Sequence, residues 1–117
     1  MPSPLQIRWH STIFATLITQ EIMFKPLADE TPSSRLRQLG MMNLLYSLYK
    51  AESPLTLTAV TELTGMNRTS AQETIDPLVE RGLLVASMGR TSLGRGKAWQ
   101  YEIAPHIFEK LRDLYGE

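Results

Sequence analysis

The sequence predicts a mainly helical α+β domain with a small β-hairpin set among the helices. Three observations carry that expectation. Apolar residues recur every three or four positions in five separate stretches. Two short segments, 83–88 and 99–103, flank a loop with three glycines and no acid. The helical stretches begin at Ser, Thr, Asn or Pro and stop at Gly or Pro.

The chain has 117 residues, 12 Lys+Arg against 12 Asp+Glu, 43% apolar residues and no cysteine. A domain of this length buries roughly 65% of the surface its extended chain exposes, so a core can form without disulfides or metal clips. The lack of Cys removes thiolate zinc sites, redox pairs and thiol nucleophiles. His10 and His106 stand far apart in sequence, and no metal or other cofactor is expected. No residues show the spacing of a nucleophile and its base, and no Gly-rich phosphate loop is present, so no enzyme is expected. The longest apolar stretch, Ile13 to Phe24, is interrupted by Thr16, Thr19, Gln20 and Glu21. It is too polar for a membrane span and has no small-x-small cleavage site, so a cytoplasmic protein without membrane contact is expected.

Segment 1–31 opens with Pro2 and Pro4 and reads as an N-terminal appendage. Ser11 can cap a helix whose Ile13, Phe14, Leu17, Ile18, Ile22 and Phe24 fall mostly on one side, with Lys25-Pro26 ending it. That stripe needs cover, from its own domain or from a second copy; burial in a homodimer is favoured. Segment 32–104 is the central unit. Thr31 and Pro32 start a long helix carrying Leu36, Leu39, Met42, Leu45, Leu48 and Tyr49, and Ser53-Pro54 marks its exit. Leu55-Thr56-Leu57 alternates like a very short strand. Thr58 can cap a second helix with Val60 and Leu63 inward and Gly65 as a left-handed stop.

Asn67 caps a third helix, about 68–81, with Ala71, Ile75, Leu78 and Val79 inward, a kink at Pro77, and Gly82 ending it. The segment 83–88 then forms one strand, and Trp99, Tyr101 and Ile103 alternate on another, where the aromatics would cover the base of the hairpin. In segment 105–117, Pro105 starts a last helix with Ile107, Phe108, Leu111, Leu114 and Tyr115 on one face. The expected dimer interface combines Ile13, Phe14, Leu17 and Ile18 with Phe108, Leu111, Leu114 and Tyr115.

Helix, short strand, helix, tight turn, helix, strand, loop, strand, helix is the order of a winged helix-turn-helix. Leu57 through Ile103 resembles the DNA-binding segment of MarR-type regulators and their winged-helix relatives. Within it, 57–70 resembles their helix-turn-helix, and Leu78-Val79-Glu80-Arg81-Gly82-Leu83-Leu84 resembles the end of a recognition helix and the start of a wing. The resemblance implies sequence-specific binding of double-stranded DNA by a homodimeric transcriptional regulator. It also implies a small-molecule effector pocket, to which no residue is assigned.

The residue chemistry points the same way. Arg68, Thr69, Ser70, Gln72 and Glu73 occupy the first two turns of the third helix, off its apolar face, with Asn67 at its start. Arg can pair with guanine and Gln with adenine, Ser and Thr serve bases or phosphates, and Glu accepts from cytosine or orients Arg68. Between Ser87 and Tyr101, Arg90, Arg95 and Lys97 stand without an acid, giving a cationic hairpin end inside a neutral chain. Arg95 is the first choice for the minor groove, with Arg90 and Lys97 on the backbone. The zero net charge leaves an alternative: a winged-helix module that binds protein and ignores DNA.

Overall fold

The structure is a computed structural model that describes residues 4–90 and 97–115. Among these, five helices and one antiparallel hairpin run in the order α1 (Pro4–Met23), α2 (Pro32–Lys50), α3 (Leu57–Thr64), α4 (Arg68–Glu80), β1 (Leu84–Arg90), β2 (Lys97–Ile103) and α5 (Pro105–Tyr115). The mainly helical composition with one small hairpin is as expected.

Local chemistry sets most boundaries. Thr31 has extended backbone and its hydroxyl accepts from the Ser34 amide at 3.0 Å, while Pro32 takes the first helical position of α2. Asn67 caps α4 through Oδ1, which accepts from the Ser70 amide at 2.8 Å. Gly65 ends α3 at φ +77°, and Gly82 follows α4 at φ +79°, both in the left-handed region that favours glycine. α4 runs through half-buried Pro77, which lacks the amide that would have bonded the Glu73 carbonyl.

Several boundaries differ from the sequence expectation. α1 begins at Pro4 rather than after Ser11, so it is one long helix. The cap of α3 is Thr56, which accepts from the Ala59 amide at 3.0 Å, and Leu57 is helical and buried. Thr56 still pairs as an isolated antiparallel bridge with Gln100, and the Tyr101 amide donates to the Leu55 carbonyl at 2.8 Å. The expected short strand is therefore a backbone strap along β2. Leu63 (58% exposed), Leu36 (59%) and Tyr49 (46%) lie outside the core. The buried row of α2 runs instead through Gln38, Met41, Met42, Leu45 and Tyr46.

A single core joins all the segments. Phe14, Leu17, Ile18 and Ile22 of α1 are buried together with the α2 row, Val60 of α3, Ala71, Ile75 and Leu78 of α4, and Ile107 and Leu111 of α5. Segments 1–31, 32–104 and 105–117 thus share one interior rather than standing apart. Phe14 stacks on Tyr46 with ring centroids 3.8 Å apart, and Phe108 leans on Tyr49 at 4.9 Å. This corrects the interface assignment: Phe14, Leu17, Ile18 and Leu111 are covered by the chain's own helices. The apolar face of α2 needed a lid, and α1 supplies it. Ile13 and Phe108 are half-buried, Leu114 is 62% exposed, and the side chain of Tyr115 lies outside the described residues.

One charged contact crosses this core. Asp29, at φ +59°, turns the α1–α2 loop so that Glu30 points inward. Glu30 Oε1 accepts from Arg81 Nη2 at 2.6 Å and from the Leu27 amide at 3.1 Å, while Oε2 accepts from Gln38 Nε2 at 2.6 Å. Both side chains of the ion pair are 5% exposed. Burial raises the Glu30 pKa, but the bonds from Gln38, the Leu27 amide and Arg81, with the Arg81 charge, outweigh it and hold the carboxyl below its ordinary value of 4.5. Arg81 Nε and Nη1 and Gln38 Oε1 are buried without a partner among the described residues.

Two outcomes follow from this contact. Arg81→Ala strands a buried carboxylate and should lower unfolding free energy by about 3–5 kcal/mol, whereas Glu30→Met with Arg81→Leu should recover most of it; urea denaturation checks both. Because the folded carboxyl titrates below 4.5, its contribution is complete above that value and disappears as pH falls through the lower folded pKa. Stability of the wild type measured against pH should therefore drop on acidification below about 4.5, and the apolar pair should flatten that slope.

Candidate functional site

α3 and α4 are joined by the short connector Gly65-Met66-Asn67, and α4 packs its buried face, Ala71, Thr74, Ile75 and Leu78, on the core. The opposite face and the first two turns are open. Arg68, Thr69 and Glu73 are exposed, and Ser70 and Gln72 are half-buried. Asn67 is exposed, but its Oδ1 is committed to the cap. The same N-terminal turns present backbone amides and the positive end of the helix dipole.

The hairpin lies beside this face with the register Leu84↔Ile103, Ala86↔Tyr101, Met88↔Trp99 and Arg90↔Lys97. The side chains of one parity begin in the core at Leu84 and Ile103, pass Tyr101, and emerge at Met88 (47% exposed) and Trp99 (40%). Trp99 therefore stands in the open beside α4. With Leu57, Arg68, Thr69, Gln72 and Glu73 it lines an open cleft of about 360 Å³. The sequence reading placed Trp99 over the hairpin base. Its shared parity with Tyr101 and Ile103 identifies the side of the sheet, but not that the core ends one pair earlier.

Gln72 is held from both directions. Its Nε2 donates to Asp76 Oδ1 at 2.5 Å and to Tyr101 Oη at 3.4 Å, the latter a weak contact. Burial raises the Tyr101 pKa above its ordinary value of 10.0; the Gln72 bond offsets this in part, the Asp76 charge adds to it, and Arg68 counters it. The hydroxyl is thus neutral at physiological pH. Gln72 and Trp99 tie the expected recognition residues to the hairpin, a link absent from the local pattern.

The structure brings Arg68, Thr69, Gln72 and Glu73 together around one cleft. Arg90 and Lys97 face each other as backbone partners at the far end of the hairpin, but their side chains, and Arg95 entirely, lie outside the described residues. His106 contacts the Gly82 carbonyl through Nε2 at 2.8 Å, which joins α5 to the end of α4. Among the described residues no group of three or more His, Asp or Glu is arranged to hold a metal ion, and no helix is long and apolar enough to cross a membrane.

No protein-family model matches the chain, and no curated protein matches it. The geometry of the cleft therefore carries the functional argument.

The capping role of Asn67 is testable apart from any ligand. Asn67→Ala should cost about 1 kcal/mol in denaturant unfolding, and Asn67→Asp should restore most of it, since a carboxylate oxygen can accept the same amide and complements the helix dipole.

Proposed function

We propose that this protein is a sequence-specific double-stranded DNA-binding transcriptional regulator, built as a winged helix-turn-helix of the MarR-like kind and working in the cytoplasm. In this reading α3 and α4 are the helix-turn-helix, α4 is the recognition helix, and β1 and β2 are the wing. The observation that carries it is the uncovered start of α4: Arg68, Thr69 and Glu73 are exposed on its first two turns, beside an open cleft, with helix amides pointing outward.

Each residue then has a role. Arg68 reads guanine, with Glu73 orienting it or accepting from cytosine, and Thr69 and Ser70 contact phosphate or bases. Gln72 reads adenine when it leaves Asp76, and Asn67 keeps the helix start in place. Arg90, Arg95 and Lys97 supply backbone and minor-groove charge from the hairpin, where the sequence has no acid. Asp76 and Glu80 stand on the distal half of α4, so within that helix phosphate contacts belong to its start.

Pairing as a homodimer is proposed through α5, where Leu114 is exposed and Phe108 and Tyr49 form a partly open aromatic pair. A two-fold arrangement would set two recognition helices about 34 Å apart, so a selected site should be an inverted repeat.

Selection from a random duplex pool, combined with a salt titration, tests the reading. The expected outcome is an enriched inverted repeat whose affinity falls with salt at a logarithmic slope of about 3 per subunit. Arg68→Ala should relax preference at one base position at a loss of about 1–3 kcal/mol, whereas Lys97→Ala should weaken all sequences alike. No enrichment and no duplex binding at low salt would leave the protein-interaction module as the function.

A further inference from the structure

A second cleft, of about 330 Å³, lies next to the first along α4, sharing Gln72 and Trp99 with it. Its apolar lining is Val79, Ala86 and the aromatic side chains of Trp99 and Tyr101. Gln72, Asp76 and Glu80, also in its lining, sit four residues apart and so share one row of the helix. No Lys or Arg is among the described residues that line it. Neither Asp76 nor Glu80 has an ion-pair partner among the described residues, and the Gln72 amide engages one oxygen of Asp76.

This combination selects a class of guest. An anion meets two carboxylates. A neutral apolar molecule gains from the lining but leaves those charges unanswered. A bare metal ion has two carboxylates at most and no use for indole and phenol rings. A positively charged group with an apolar shell satisfies both halves, since aromatic faces attract cations and the carboxylates neutralise them. The volume lies at the lower end of ligand sites, about 300–1,000 Å³, so the guest is small.

We propose that this cleft is a binding site for a small organic ammonium ion, held against the exposed Trp99 ring by the Asp76 and Glu80 carboxylates, with the buried Tyr101 forming part of its floor. The proposal stands without the DNA reading, because it rests on the lining chemistry alone.

Choline is the probe, and the indole N–H resonance of Trp99 in the full-length protein is the reporter, assigned with a Trp9→Phe variant since the chain has two Trp. The expected result is a saturable shift with a millimolar Kd, weakened about tenfold in Asp76→Asn with Glu80→Gln. Both replacements are near-isosteric and at exposed positions, so the fold is retained. The neutral isostere 3,3-dimethylbutan-1-ol should bind about tenfold more weakly than choline. The proposal is overturned if choline gives no saturable shift up to about 0.1 M. It is equally overturned if the alcohol binds as well as choline, or if the double variant leaves the Kd unchanged.

Discussion

The ion pair between Glu30 and Arg81 sets the direction in which α4 points. It joins the loop after α1 to the residue that closes α4, across 51 positions of sequence. Apolar burial supplies most of the stability, but it tolerates sliding, because dispersion and hydrophobic contact have little directional preference. A guanidinium on a carboxylate that also takes the Leu27 amide and Gln38 does not slide. Whatever α4 presents outward is therefore aimed by groups at its opposite end. Arg81 Nε and Nη1 have no partner among the described residues, so this aim is kept despite imperfect satisfaction of the buried polar atoms.

α4 divides along its length as well as around its circumference. Its first two turns carry the exposed Arg68, Thr69 and Glu73, and its later turns carry Asp76 and Glu80. Gln72 sits at the division, with one amide nitrogen shared between Asp76 and Tyr101. Trp99 stands opposite, at the point where the inner side of the hairpin leaves the core. Two clefts of similar size thus meet at the same two side chains while differing in charge: one has an Arg and a Glu in its lining, the other only acids.

Elements governed by local chemistry were legible in the sequence. Thr31-Pro32, Asn67, Gly65 and Gly82 mark helix ends through groups a few residues away, and each stands at the boundary it predicts. The parity of Trp99, Tyr101 and Ile103 gives the side of the sheet. What could not be read depends on distant partners. Gln38 is fully buried because Glu30 meets it, so a polar residue lies on the interior row while Leu36 and Tyr49 fall outside. Thr56 and Thr58 offer the same hydroxyl two positions apart, and the bridge to Gln100 accompanies the choice of Thr56. The α1 stripe called for cover, but periodicity does not say whose surface provides it. At the candidate site, the row of polar residues was legible; the approach of Trp99 and the tether on Gln72 were not, since both arise from the hairpin folding back onto α4.

The strap along β2 has a mechanical consequence. The Leu55 carbonyl and Thr56 hold the entry of α3 to Gln100 and Tyr101, while the Ala104 amide donates to the Leu83 carbonyl at 3.0 Å. The root of the hairpin cannot swing without dragging the helix pair along with it. Stiffness of this kind moves the loss of rotational freedom from the encounter with a guest to the collapse of the chain, so less of the gross attraction is consumed in holding the two surfaces still.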